Sequence, residues 1–279
     1  MDQPVNRRMD VPQRPGDGEE VIKSGSLPAH PPAAGAENSA RGGPLFGQSA
    51  SLGYALGGAR HKALAERPGL ASSGSSLDHI SDEIVVLKEP LSPRAADVRR
   101  LAQKLAVHWF RGEDAGSALS IISAERGEGR TTLAANLACV YAQAGVRTLL
   151  IDADLSHPQI HGLFGADLTE HDEGGSLLVS GVENLALISA SRLFDLEYGR
   201  VMPTALSALI DSQGAGFDVI LVDTTAASVS DDYLFAGLST GGAIVVTREG
   251  KSKVKAAAKM LNSCEDAGVK IVGGIMLNS

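Results

Sequence analysis

The chain has little cysteine, no long apolar run and no surplus of positive charge, and each shortage narrows what it can be. Its two cysteines, Cys139 and Cys264, cannot build a disulfide framework. They also lack metal-ligand spacing, so a reducing cytoplasm is the expected compartment. No apolar stretch approaches the roughly 20 residues that span a bilayer. The opening MDQPVNRRMD carries arginines but no apolar core after them, so no secretory signal is expected. Any membrane role should therefore come through a partner. The net charge of −8 falls entirely on residues 81–279, since residues 1–80 hold 8 Lys/Arg and 8 Asp/Glu. An acidic globular part repels a phosphate backbone, so nucleic acid is not an expected partner.

Proline is scarce beyond residue 70. Eight of the twelve prolines precede it, in stretches such as LPAHPPAAGAENSARGGP with little periodic apolar content. Such a segment cannot bury enough surface to offset its ordering entropy. Residues 1–78 are therefore expected to be a disordered tail, and residues 79–279 one folded domain. Hydrophobic content of 43% is enough for a packed core.

At Ser81 the character changes. Residues 82–87, DEIVVL, read as a short strand or extended arm. Ser92-Pro93 offers a helix N-cap followed by proline at the first helical position. Val98, Leu101, Leu105 and Trp109 then continue a helical stripe. From Ser117 onward apolar runs alternate with helical patterns. Strands are expected at 118–122, 148–151, 185–189, 219–222, 243–247 and 271–277. Helices are expected at 131–144, 204–212, 230–238 and 253–266. That alternation predicts an α/β fold, a doubly wound and mostly parallel sheet, in which ligands bind beyond the carboxyl ends of the strands.

Three motifs sit at such strand ends. The first is Ala124-Glu125-Arg126-Gly127-Glu128-Gly129-Arg130-Thr131-Thr132, between a strand and a helix. Gly127 and Gly129 let backbone N–H groups approach phosphate oxygens, and the following helix aims its positive dipole end at the anion. Thr131 would place a hydroxyl on Mg²⁺. A standard phosphate loop begins with glycine and ends in Gly-Lys-Ser/Thr; here Ala124 and Arg130 stand at the first glycine and the lysine. The second motif, Ile151-Asp152-Ala153-Asp154, delivers two hard carboxylates at a strand end, as Mg²⁺ prefers. The third, Val222-Asp223-Thr224, is a second apolar strand ending in Asp. Together they predict a site for a nucleoside triphosphate, most simply ATP with Mg²⁺.

Residues 119–164, LSIISAERGEGRTTLAANLACVYAQAGVRTLLIDADLSHPQIHGLF, resemble the bacterial tyrosine kinase family of capsule and exopolysaccharide synthesis. They are most similar to the free-standing autokinases that accompany chain-length determinant proteins, which also carry RGEGR. The likeness extends from SDEIVVLKEPLSP through DVILVDTTAA to GVKIVGGIMLNS, roughly residues 80–279. It implies a MinD/ParA-like P-loop fold. It implies that residues 124–132 bind the triphosphate, with Arg130 in the lysine's place. Thr131 and Asp154 would hold Mg²⁺, and Asp223 would orient it through water. Asp152 would be the base that activates a tyrosine hydroxyl, and Asn278 would contact the adenine. The implied partner is an inner-membrane chain-length determinant protein, with a homo-oligomer as a further expectation, and the implied place is the cytoplasm, peripheral to that membrane.

The sequence also departs from the family. Ser156 stands where an arginine usually follows the acidic pair. The ring-assembly motif E-x-x-R-x-x-R reads Ala96, Arg99, Ala102, which predicts weak assembly. An Asn-Pro…Glu-Leu-Leu segment near 195–207 is missing, and the C-terminal tyrosine cluster has no counterpart before Ser279. Only Tyr54, Tyr141, Tyr198 and Tyr233 are present. MinD- and ParA-type switches carry a second lysine where Glu125 stands. Three functions follow: an active tyrosine kinase, a degenerate ATP-binding regulator, and a MinD/ParA-like ATPase switch. His157, His161 and His171 read as part of the post-acidic stretch rather than a metal site. Lys251, Lys255 and Lys259 read as a solvated row on one helix.

Overall fold

The computed structural model describes residues 77–111, 116–165, 178–189 and 203–278. The expected tail lies outside these residues except for its last two positions. So do Tyr54, Tyr198, His171 and most of the segment near 195–207.

Seven strands form one sheet in the order β3-β4-β2-β5-β1-β6-β7. They are β1 (Ala118–Ile122), β2 (Thr148–Ala153), β3 (Leu178–Val179), β4 (Leu185–Ser189), β5 (Val219–Thr224), β6 (Ala243–Arg248) and β7 (Ile271–Leu277). Six run parallel, and β3 pairs antiparallel at the edge against β4. The sequence reading missed β3, because a two-residue strand has no periodicity to detect.

The central strands are buried on both faces, which is why they read as unbroken apolar runs. Alternate residues still divide between two cores. Leu119, Ile121, Leu150, Val219 and Leu221 face α2 (Pro93–His108) and α3 (Arg130–Gln143), and Ile160 of the short α4 (Ile160–Leu163) joins the same core. Leu149, Ile151, Ile220 and Val222 face α5 (Pro203–Gly214) and α6 (Asp232–Thr240). A third cluster joins Ile122, Tyr233 and Val245 to Met260 and Cys264 of α7 (Val254–Ala267).

Ser92 caps α2 by accepting from the Ala95 N–H at 3.2 Å, with Pro93 at the first position, as the sequence required. At its other end Trp109 is buried, and its Nε1 donates to the Ala118 carbonyl at 2.9 Å. The expected strand at 82–87 is not one. Val85–Lys88 forms a single helical turn, α1. Its cause is a tertiary partner: Asn136 of α3 accepts from the Val86 N–H at 3.1 Å and donates to the Glu83 carbonyl at 2.9 Å. Those bonds satisfy the backbone that a sheet neighbour would otherwise have to satisfy.

Ring-motif positions take unexpected surroundings. Ala102 is fully buried, and its carbonyl accepts the Tyr141 hydroxyl at 2.9 Å. Arg99 donates to the Pro90 carbonyl at 2.6 Å within the same chain. A charged residue at position 102 would have no room here.

Candidate functional site

The order of the strands decides where the site lies. β1 is central, flanked by β5 and β6, while the chain leaves it for β2 beyond β5. Crossovers therefore diverge around β1, and a crevice opens outside its carboxyl end. Residues 124–129 fill the turn from β1 into α3.

Gly127 and Gly129 have φ of 72° and 96°, values that favour glycine. Close approach reinforces the requirement at Gly129, where a Cβ would sit 2.6 Å from Leu277 Cδ1. Among the described residues nothing accepts from the backbone N–H groups of Arg126, Gly127, Glu128 or Gly129. These donors adjoin the N-terminus of α3, a 14-residue helix. That is an anion-binding nest at the positive end of a helix.

The loop is braced from inside. Glu128 is fully buried, accepts from the Glu125 N–H at 2.9 Å, and accepts the Ser252 hydroxyl. Ala124 is buried in the third cluster, so the missing first glycine is used as a small core residue. Glu125 pairs with Lys253 at 3.3 Å, and Arg126 reaches the His157 ring at 2.8 Å. The Thr132 hydroxyl turns to Glu83 Oε2 at 2.8 Å and ties the segment before α1 to the start of α3.

Arg130 does not extend over the loop. Its side chain lies almost wholly buried, with Nε donating to the Thr224 carbonyl at 2.9 Å. One terminal nitrogen bonds the Ser123 hydroxyl and the Glu125 carbonyl; the other lies 3.7 Å from Asp154 Oδ2. Nε is also 4.0 Å from Asp223 Oδ1. The forked head is thus shared among loop carbonyls and two acids.

The acids sit as the strands place them. Asp152 and Asp223 are register partners on neighbouring parallel strands, about 5 Å apart along the sheet. Asp223 is fully buried; its Oδ2 accepts the Thr131 hydroxyl at 2.6 Å, while Oδ1 has no hydrogen-bond partner. Burial, then the neighbouring Asp152 charge, pushes its carboxyl up to about 7, against the pull of Arg130 and Thr131. Burial likewise raises Asp152 to about 6, although three backbone N–H groups oppose it. Those donors are Asp154, Gln159 and Ile160, so Asp152 also fastens the loop that follows β2. Asp154 accepts from the N–H groups of Ser156 and His157 and from the Thr225 hydroxyl. Asn278 is exposed one residue beyond Leu277, whose side chain touches Gly129.

The structure thus brings Thr131, Asp223 and Arg130 together, with Asp152 and Asp154 alongside and Asn278 at the rim. It removes Lys251 from the expected helical row, because α7 begins at Val254. Lys251 instead belongs to the β6–α7 turn, with Nζ in the space that a Gly127 Cβ would fill. The sequence carried no sign of this contact, since 124 residues separate the two positions. Among the described residues no three His, Cys, Asp or Glu side chains converge as a metal cluster. No described helix is long and apolar enough to cross a membrane.

A strand-to-helix phosphate loop with acids at the adjoining strand ends defines a P-loop nucleotide-binding protein. Residues 115–278 match the ParA family, described as an NUBPL iron-transfer P-loop NTPase. The chain is 33% identical over 181 residues to the tyrosine-protein kinase CpsD of Streptococcus agalactiae, covering 61% of this chain and 77% of that protein. It is 28% identical over 202 residues to the tyrosine-protein kinase YwqD of Bacillus subtilis, covering 69% and 84%. Its fold is similar to the kinase domain of the Escherichia coli tyrosine kinase ETK, with a TM-score of 0.58, 24% identity, and 70% and 79% coverage. It is also similar to the BceF tyrosine kinase domain, with a TM-score of 0.59, 22% identity, and 70% and 81% coverage. The chain belongs to the bacterial tyrosine kinase family of the ParA-like P-loop NTPases.

Proposed function

We propose that this chain binds MgATP on residues 124–132 and transfers the γ-phosphoryl group to a tyrosine hydroxyl of another chain. The setting we propose is exopolysaccharide synthesis beside an inner-membrane chain-length determinant protein, as in the free-standing autokinases. The observation that carries this reading is the set of uncommitted N–H groups at the start of α3, next to the Thr131–Asp223 pair.

Hard oxygens at Thr131 and at Asp223 Oδ1, which accepts no hydrogen bond, fit Mg²⁺. An ion that keeps several waters and takes phosphate oxygens needs no cluster of three acids. Thr131 would bind it directly and Asp223 through water, while Asp154, held by Arg130, supplies charge from the side. Held there, Mg²⁺ would supply positive charge to offset the negative charge developing on the phosphoryl oxygens. The chain's own part is positioning: the loop holds the polyphosphate, and Asp152 receives the proton of the attacking hydroxyl. A carboxyl raised to about 6 is a better base near neutral pH than an ordinary aspartate. The acceptor is not Tyr141 or Tyr233, since both are buried.

With labelled ATP and the membrane partner, Asp152→Asn should lower phosphotyrosine formation by about 100-fold or more. Affinity for MgATP should change by less than about threefold, because Asp152 is placed at the hydroxyl. Transfer by the wild type should rise with pH through about 6, as the base loses its proton. Unchanged phosphotyrosine in the variant would remove Asp152 from the chemistry.

The bonding of Arg130 favours a second reading, an ATP-binding regulator without transfer. Its guanidinium is committed to protein acceptors rather than to the crevice. MgATP binding without any phosphotyrosine, in the presence of the partner, would select that reading. Free phosphate in its place would select an ATPase switch.

A further inference from the structure

Five cations surround the phosphate loop, and four of them are directed at protein groups. Arg130 is bonded within the protein as described, and Arg126 meets His157. Lys253 meets Glu125, and Arg248 reaches the Gly127 carbonyl at 3.5 Å. Lys251 has no acceptor among the described residues, and its ammonium lies against the open Cα face of Gly127.

That position is built rather than incidental. Gly250, with φ of 71°, turns the chain after β6. The Lys251 and Ser252 N–H groups bond the Arg248 carbonyl at 3.1 and 2.9 Å. The Ser252 hydroxyl bonds the buried Glu128 within the loop, and also accepts from the Arg248 N–H at 2.7 Å. Lys253 closes the other flank on Glu125. The turn is therefore fastened to the phosphate loop beside Lys251, while the lysine head itself is left uncommitted. Gly127, with φ of 72°, leaves that space open, and a side chain at 127 would displace the ammonium.

Resting on the MgATP reading, we propose that Lys251 supplies the mobile positive charge to the bound polyphosphate. In a standard loop that charge comes from the residue at position 130. Here the work is divided. Arg130, rigid and forked, organises the loop and offsets two buried acids. Lys251, a flexible point charge, meets the phosphates from the β6–α7 turn.

The test is calorimetric titration of the full chain with MgATP and MgADP, alongside thermal melts without nucleotide. Lys251→Met should weaken MgATP binding about tenfold or more, the effect of losing one charge-assisted contact. Its melting temperature should match the wild type, because the lysine head holds nothing in the free protein. Lys251→Arg should recover most of the affinity, which a merely structural role would not produce. Lys259→Met, an exposed lysine further along α7 with no contact to the loop, should change affinity less than about threefold. Equal MgATP affinity in Lys251→Met and wild type would overturn the proposal, and so would equal losses in Lys251→Met and Lys259→Met. Wild type that binds neither nucleotide would instead overturn the MgATP reading beneath it.

Discussion

Arg130→Ala is expected to destabilise the nucleotide-free protein by about 3–5 kcal/mol, the usual cost of removing one partner from a buried charge network. Two terms add. The Thr224 and Glu125 carbonyls and the Ser123 hydroxyl lose their donor inside the protein. Asp154 and Asp223 lose the nearby cation that offsets their burial. Arg130→Lys should cost less, about 1–2 kcal/mol, because an ammonium restores charge but not the fork. Urea unfolding at neutral pH measures both. A loss under about 1 kcal/mol in Arg130→Ala would show that the guanidinium is not what holds the loop to β5. Because Arg130→Lys also frees the head to move, its effect on phosphoryl transfer is informative. Higher transfer despite lower stability would place the slow step in the locked arginine.

Asp223→Asn is expected to do two opposite things. In the nucleotide-free protein it should stabilise, on the order of 2 kcal/mol at pH 8, because it removes a buried charge with one oxygen that accepts no hydrogen bond. The sign follows from the direction of the shift. The folded-state carboxyl is raised to about 7 from an ordinary 3.8, so the folded protein holds the proton over that interval more tightly than the unfolded chain. Wild-type stability therefore falls as pH rises from about 4 to 7, and Asp152 adds a loss of the same sign up to about 6. The advantage of Asp223→Asn should accordingly shrink toward zero near pH 4 and grow toward pH 8. In binding, the same substitution should weaken MgATP at least about tenfold, because the metal loses its anionic neighbour. Thermal melts at pH 5 and pH 8 with MgATP titrations would resolve the pair of effects. Equal destabilisation at both pH values would show that hydrogen bonding to Thr131, not buried charge, dominates at this position. In the wild type, MgATP affinity should decline below about pH 7 as Asp223 takes up a proton.

Both expectations show the site trading stability for ligand binding. Unpaired N–H groups, an orphaned carboxylate oxygen and two acids in register are each unfavourable in the free protein. They persist because the surrounding sheet and α3 over-determine them.

The sequence by itself determined the order of the major strands and helices, since each core strand is a short apolar run and each long helix carries its own period. It also determined which residues approach the crevice. A loop between β1 and α3 and acids ending β2 and β5 must meet beyond the same sheet edge once the strands are parallel. What the sequence could not determine is where the side chains turn. Local pattern gave α1 as a strand; Asn136, about 50 residues away, made it a helical turn. The family resemblance put Arg130 in the lysine's place; in the structure its head is bonded to the carbonyls of Glu125 and Thr224 and lies near the carboxylate of Asp154. Periodicity put Lys251 on a solvated helix face; the bonds of Ser252 and Lys253 set it over Gly127 instead. In each case at least one partner is distant in sequence: Asn136 for α1, Thr224 and Asp154 for Arg130, and the phosphate loop for the turn that carries Lys251.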